Sequence, residues 1–541
     1  MSLGVAGALV AGLLGAAQGT AGHAAADAGS AAVGAAGPGK APAVPVLSWK
    51  PCGQSAPEFE CATAKVPLDH DQPHGPAISL ALTRIRATDP SRRIGSLFLN
   101  PGGPGSSGVD FAQSVGKTLY SAEVRARFDL VGFDPRGVAA STPLTCFDTA
   151  EQAAAATAPF AFPVTVAEER EWVKYDRAYA AACARRAGPV IDHMSTANVA
   201  RDLDLLRAAV GDQKLTYAGY SYGTYIGSVY ANLFPHRVRA VLIDGVIDPV
   251  SDATGRNGEW RRQPVDARLK SEQGAYQTLR EFLRLCDAGG ATCAFSGGNP
   301  TARYDALAAR LRKQPITMPD GEGGSVVVTY ADLVTTSLVA MYSPVDWPEF
   351  AKYLQGLDIA SAGAVRAARA ALADPPYTQG AEGFYGVWCT DSLNPSSASA
   401  WARAARAADR QWPYFGRRWI WGSSICANWP GRDADRYLGP FSKPTAHPVL
   451  VVGNRWDPAT RYEDAVSTSR ILGRARLLTV SGWGHTSLFT SACADGYASA
   501  YLLTGALPAA GTVCRPDAVP FAATTRVKKP APPYQWRPPH R

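Results

Sequence analysis

The chain is predicted to fold as an α/β protein: a mostly parallel sheet with helices on both faces, carrying a helical cap as an insertion. Three observations predict it. From about residue 78 to 245, short apolar runs alternate with amphipathic stretches. From about 249 to 440 that alternation fades into Ala-, Arg- and Leu-rich helical stretches, and after residue 447 two further buried-strand patterns appear. A sheet that resumes after a helical insertion has a core discontinuous in sequence. With 46% hydrophobic and 18% charged residues over 541 positions, the composition is that of a globular protein with ample material for such a core.

Residues 3–17, LGVAGALVAGLLGAA, are continuously apolar, and Ala24-Ala25-Ala26 offers a small-residue cleavage site. Residues 1–26 are therefore expected to be a signal peptide, although the usual positive n-region is missing. The protein is expected to be secreted, extracellular or associated with the cell wall. Residues 27–45 are a low-complexity linker or propeptide. The first part of the core, 46–248, holds strands expected at 78–84, 96–99, 128–133, 215–218 and 240–243. STANVARDLDLLRAAVG, from Ser195, has a hydroxyl cap and then Val199, Leu203, Leu206 and Val210 at helical spacing, so it is a helix packed on the sheet.

The insertion, 249–440, contains Trp388, Trp401, Trp412, Trp419, Trp421 and Trp429. The core resumes over 441–515 with HPVLVVGNRWDP, from His447, and ARLLTVSGWGH, from Ala475. No run after the leader is long enough to span a bilayer, so no stable membrane anchor is expected. The formal charge is +8, but residues 516–541 end in RVKKPAPPYQWRPPHR, a basic Pro-rich tail that holds five of those charges without a basic helix or zinc module. Nucleic acid is not an expected partner.

Ten cysteines with no C-x-x-C or Cys/His metal spacing suit an oxidising compartment. Loop closure favours local bridges, giving Cys52–Cys61, Cys146–Cys183, Cys286–Cys293, Cys389–Cys426 and Cys493–Cys514, against the alternative of buried free thiols.

The strand at 215–218 runs into GYSYGT and then the helical stretch YIGSVYANLF. Gly219, Ser221 and Gly223 thus form G-x-S-x-G in the strand, turn, helix context of a nucleophile elbow. A serine hydroxyl needs a base, and the base needs an orienting acid. Of the histidines after Ser221, His540 lies in the tail and His447 opens a strand, whereas His485 sits in the small-residue loop SGWGHTS just past a strand, where the base belongs. Asp457, in GNRWDPAT directly after a strand, is the acid, with Asp244 and Asp248 as rivals whose plainer roles are turns and caps.

LFLNPGGPGSSG, residues 97–108, spells G-x-G-x-x-G after an apolar run, with Asp129 and Asp134 near the place of a ribose-binding acid. The dinucleotide reading leaves the elbow and His485 unexplained. As the loop after an early strand, the segment would instead supply a backbone N–H, so Gly103 with Tyr222 would form an oxyanion hole.

NPGGPGSSG, VGFDPRGVAAS, GYSYGT, the Asp457 turn and GWGHTS together resemble the secreted tripeptidyl aminopeptidases of actinobacteria, relatives of the prolyl iminopeptidases within the α/β-hydrolases. The likeness spans most of residues 45–515. It implies an α/β-hydrolase fold, a triad of Ser221, Asp457 and His485, Gly103 in the oxyanion loop, and a C-terminal segment of the family type from about 420 to 515. Asp134, Arg136 and Gly137 of FDPRG match a family motif, read as an ion pair supporting that loop. Pro101 stands where the prolyl iminopeptidases carry a histidine, so their single-residue specificity need not transfer.

Such an enzyme must recognise a free ammonium, for which Asp391 in WCTDS is the leading candidate, followed by Glu382 and Glu259. The plainer role of such acids is helix capping. The expected function is a secreted serine exopeptidase that releases short peptides, tripeptides by the resemblance, from free N-termini. It would act as a monomer with no metal or cofactor. An esterase of the same fold and a noncatalytic wall- or peptide-binding protein are the alternatives.

Overall fold

In the computed structural model, residues 42–319, 324–359 and 380–522 are described. The signal-peptide expectation and most of the linker and tail lie outside them. In chain order the elements that matter are β1 (Lys50–Pro51), β2 (Glu60–Pro67), β3 (Ala77–Ile85), β4 (Gly95–Asn100), α1 (Gly108–Val115) and β5 (Phe128–Phe133). Then come α2 (Thr196–Ala209), β6 (Leu215–Tyr220), α3 (Gly223–Leu233), β7 (Val238–Asp244), α4 (Val265–Leu269) and α5 (Ser271–Gly289). A hairpin of β8 (Ile316–Pro319) and β9 (Ser325–Val328) precedes α6 (Gly380–Asp391). Last are β10 (Val449–Trp456), α7 (Tyr462–Ile471), β11 (Ala475–Trp483), α8 (Ala492–Thr504) and β12 (Val513–Cys514).

Ten strands form one sheet in the order β1-β2-β3-β5-β4-β6-β7-β10-β11-β12. The pairs β1–β2, β2–β3 and β3–β5 are antiparallel, and every later pair is parallel. The central strands β4, β5 and β6 are buried along their whole length, as expected for strands covered on both faces. Alternate side chains go to opposite sides: Phe98 joins the core shared with α2 and α3, while Leu97 and Leu99 join the core shared with α1 and α8. Ser195 caps α2, its side chain accepting from the Asn198 N–H, and Val199, Leu203 and Leu206 are fully buried.

All five expected disulfides form, and they leave no free cysteine. Between β7 and β10 the described residues are mostly helical and build an apolar centre around Phe282, Trp347 and Phe350, which Trp483 of β11 joins. The β8–β9 hairpin, the edge strands β1 and β12, and β2 beside β1 are additional to the expected strands; β8, β9, β1 and β12 are only two to four residues long, and β2 is mostly partly exposed, so none carries a buried-strand signature. No helix among the described residues is long and apolar enough to cross a membrane.

This topology brings the carboxyl ends of β4, β6, β7, β10 and β11 to one edge. Open α/β sheets bind their ligands there, and every candidate site loop leaves from one of these strands.

Candidate active site

β6 ends at Tyr220 and α3 begins at Gly223, so the chain reverses over two residues. Ser221 takes a left-handed φ of 54°, a conformation that costs a non-glycine residue of order 1–3 kcal/mol. Its neighbours hold it there. The Ser221 N–H donates to the Asp244 carbonyl at 3.0 Å, and the Thr224 hydroxyl donates to the Ser221 carbonyl at 2.6 Å. A Cβ at Gly219 would lie 2.3 Å from the Gly223 carbonyl oxygen, so only glycine lets the turn close.

The loop after β4 lies against this turn. Gly102 donates its N–H to Asn100 Oδ1 at 2.9 Å, and a Cβ there would sit 2.7 Å from the Tyr222 nitrogen and 2.9 Å from Ser221 Cβ. Gly103 and Ser221 line the same cavity. Neither the Gly103 nor the Tyr222 backbone N–H meets an acceptor among the described residues. Two unsatisfied donors beside a strained serine are what an oxyanion hole requires.

Asp134 braces the start of α1, accepting from the Ser107 hydroxyl at 2.6 Å and the Val109 N–H at 3.1 Å. It does not pair with Arg136, and here the ion-pair expectation is corrected. Arg136, fully buried, places Nε and Nη2 each 2.7 Å from the two Asp202 oxygens and ties the FDPRG turn to α2.

Asp457 follows β10 and His485 follows β11. His485 Nδ1 lies 2.9 and 3.0 Å from the two Asp457 oxygens, with both residues buried. Asp457 also accepts from the N–H groups of Ala459, Thr460 and Thr486 and from the Thr460 hydroxyl. This fixes the carboxylate in place. The other edge of the imidazole faces Gly245, where a Cβ would lie 3.3 Å from His485 Cε1; Gly245 follows the residue whose carbonyl holds Ser221. Tyr342 braces the loop from the helical side, its carbonyl accepting the His485 N–H at 2.8 Å. The rivals are engaged elsewhere. Asp244 accepts from Ser487, and Asp248 caps a helical turn and pairs with Arg256.

None of the three candidate acids lines the cavity. Both Asp391 oxygens are taken by Thr196, from its N–H at 2.7 Å and its hydroxyl at 2.6 Å, and that hydroxyl also meets the Tyr222 phenol. Asp391 therefore stands behind Tyr222 and is not among the cavity-lining residues. Glu259 accepts from the Arg256 N–H in its own turn. Glu382 is fully buried in the first turn of α6, the helix that presents Phe384 and Trp388 to the cavity, but does not itself line it.

The cavity over Ser221 is lined in good part by aromatic side chains, among them Phe162, Trp172, Tyr342, Phe384, Trp388 and Trp419. Residues not singled out from sequence line it as well, among them Asp266, Thr460 and Asp464. Thr460 lies three residues past Asp457, a spacing with no signature of its own.

Burial pushes the carboxyls of Asp244, Asp252, Asp266 and Asp464 up to about 7 and that of Glu272 to about 8. In the unfolded chain these groups titrate near 4, so between about pH 4 and 8 the folded state binds more protons. Stability from these groups is therefore full below that window and is lost as pH rises through it. The thermal midpoint is expected to fall by several degrees between about pH 5 and pH 8 in calorimetry. A midpoint that rises over the same range contradicts protonated buried carboxyls.

Residues 95–282 match the "alpha/beta hydrolase fold" family and residues 412–514 match the family described as "TAP-like protein". The chain is 34% identical over 495 residues to a tripeptidyl aminopeptidase of Streptomyces coelicolor, covering 88% of this chain and 87% of that one. It is likewise 34% identical over 509 residues to the serine protease Hip1 of Mycobacterium tuberculosis, covering 86% and 91%, and 34% identical over 507 residues to a protein named carboxylesterase B from the same species, covering 89% and 93%. With the sheet order, the elbow and this identity across nearly the whole chain, the protein belongs to the TAP-like family of α/β-hydrolases, the family of the tripeptidyl aminopeptidases.

Proposed function

We propose that this hydrolase is an exported serine exopeptidase that cleaves short peptides, tripeptides in the first instance, from free N-termini. The observation that carries the reading is the buried Asp457–His485 pair at 2.9 Å on the same sheet edge as the strained Ser221. In this reading Ser221 Oγ attacks the scissile carbonyl while His485 Nε2 takes its proton. Asp457 holds Nδ1–H and so fixes the tautomer. The carbonyl oxygen becomes an oxyanion held by the Gly103 and Tyr222 N–H groups. His485 then protonates the leaving amine, and water releases the acyl-enzyme by the reverse sequence. No step calls on a metal or cofactor. The five disulfides support an oxidising destination.

An esterase is the second reading, favoured by the carboxylesterase-named relative, since the same machinery cleaves esters. A chromogenic tripeptide amide, with its N-terminus free or acetylated, is compared with a short-chain ester. The exopeptidase reading expects kcat/KM at least about tenfold higher for the free amine, because a buried charge-assisted contact is worth about 1.5–3 kcal/mol. Equal rates for the two peptides, with the ester fastest, overturn it.

A further inference from the structure

The cavity wall contains a carboxylate that no basic side chain pairs with directly among the described residues. Asp266, on α4, is 6% exposed and lines the cavity. Oδ2 accepts from the Ser423 N–H at 3.1 Å and from the Ser423 hydroxyl. Oδ1 has no hydrogen-bond partner among the described residues, yet it is not among the side-chain atoms sealed from solvent, so it opens into the cavity. Arg268, two residues on, bears electrostatically on Asp266 but directs its guanidinium to the carbonyls of Ser251, Asp252, Gln263 and Leu393, and Arg418, which lines the same cavity, forms no ion pair with Asp266.

The other acids differ. Asp464 also lines the cavity but is paired with Arg461 at 2.7 Å. Glu272 is buried beside Asp266 without reaching the wall.

The surroundings of Asp266 are aromatic. Trp172 donates its indole N–H to Ser424, the residue next to Asp266's partner, and lines the cavity. Trp419 and Gly422 of the same turn line it too, and across it Trp388 is stacked on Phe384 at 5.3 Å. A lone desolvated carboxylate among indole faces suits a primary ammonium: one charge-assisted hydrogen bond on Oδ1, with ring faces that favour a cation. A divalent metal would need several clustered ligands, and among the described residues Asp266 belongs to no such cluster of acids, histidines or cysteines.

We propose that Asp266 receives the α-ammonium of the peptide substrate, with Trp172 and Trp419 as the aromatic walls of that seat. The assignment rests on the exopeptidase reading and replaces the acids expected from sequence, which are turned elsewhere. Burial holds the Asp266 carboxyl up to about 7, and a bound ammonium would draw its proton off.

The test compares wild type with Asp266→Asn on Ala-Ala-Ala p-nitroanilide, its N-acetyl form, and an acetylated peptide carrying one lysine. Rates are normalised to active sites titrated with a fluorophosphonate, so that loss of folded protein does not count. A wild-type preference for the free amine that collapses by about tenfold or more in Asp266→Asn supports the assignment. Retention of the preference overturns it while leaving the exopeptidase reading intact. Loss confined to the lysine peptide overturns it in favour of a side-chain ammonium. No preference in wild type ends both readings together. As a second measurement, the wild-type crystal structure with a free-amine tripeptidyl phosphonate on Ser221 should place the amine against Asp266 Oδ1; an amine lodged elsewhere overturns the proposal.

Discussion

Ser221→Ala is expected to lower kcat on a free-amine tripeptide amide by at least about 10⁴-fold, with thermal unfolding little changed. The nucleophile cannot be replaced by water at the same place, because the elbow holds Ser221 at φ 54° and aims its Oγ into the cavity beside the Gly103 and Tyr222 N–H groups. What survives is the oxyanion hole and whatever binding the cavity provides, worth about 10³–10⁴ over the uncatalysed reaction in hydrolases of this type. Alanine at φ 54° is no more strained than serine, and among the described residues no hydrogen bond from the Ser221 hydroxyl holds the turn together, so the fold should tolerate the change. The variant should also lose labelling by a fluorophosphonate entirely. Substantial turnover in a pure, folded sample would remove Ser221 from the mechanism and the triad with it.

The parts of the fold and site that sequence made legible share one physical property: each is determined locally. Buried parallel strands are short apolar runs whatever their neighbours, and β4 to β7, β10 and β11 were found that way. The elbow is legible because only glycine fits beside Ser221, and the five disulfides because nearby cysteines close small loops.

What failed depends on pairing across long sequence distances. Arg136 follows Asp134 by two residues, yet its partner is Asp202, and nothing in FDPRG reports that. Asp391 is a candidate ammonium partner as an acid of the helical insertion, but its direction is set by Thr196, nearly two hundred positions away. Asp266 carries no signal for the complementary reason: an acid in a short helical turn is ordinary in sequence and becomes unusual only when folding places it on a cavity wall without an ion-pair partner.

The second large effect is expected at Asp457, and it separates an orienting acid from a merely structural one. Asp457→Asn should lower kcat by about 10⁴-fold near neutral pH, as the same exchange does in other Ser-His-Asp enzymes. The hydrogen-bond pattern dictates how. Oδ1 accepts two backbone N–H groups, from Ala459 and Thr460, so the amide oxygen must occupy that place. The amide NH₂ is then left at the Oδ2 position, facing the Thr486 N–H and the His485 ring. A donor there forces Nδ1 to act as acceptor and moves the imidazole proton to Nε2, the nitrogen that must be bare to take the proton of Ser221. The clash with the Thr486 N–H should also destabilise the fold by about 1–3 kcal/mol. Unlike Ser221→Ala, this variant keeps its nucleophile, so fluorophosphonate labelling should be slowed rather than abolished, and part of the activity should return at high pH, where base strength from solution substitutes for His485. An Asp457→Asn enzyme with near wild-type kcat at neutral pH would show that Asp457 does not set the tautomer, and the acid of the mechanism would have to be sought among the other buried carboxyls of this sheet edge, Asp244 first.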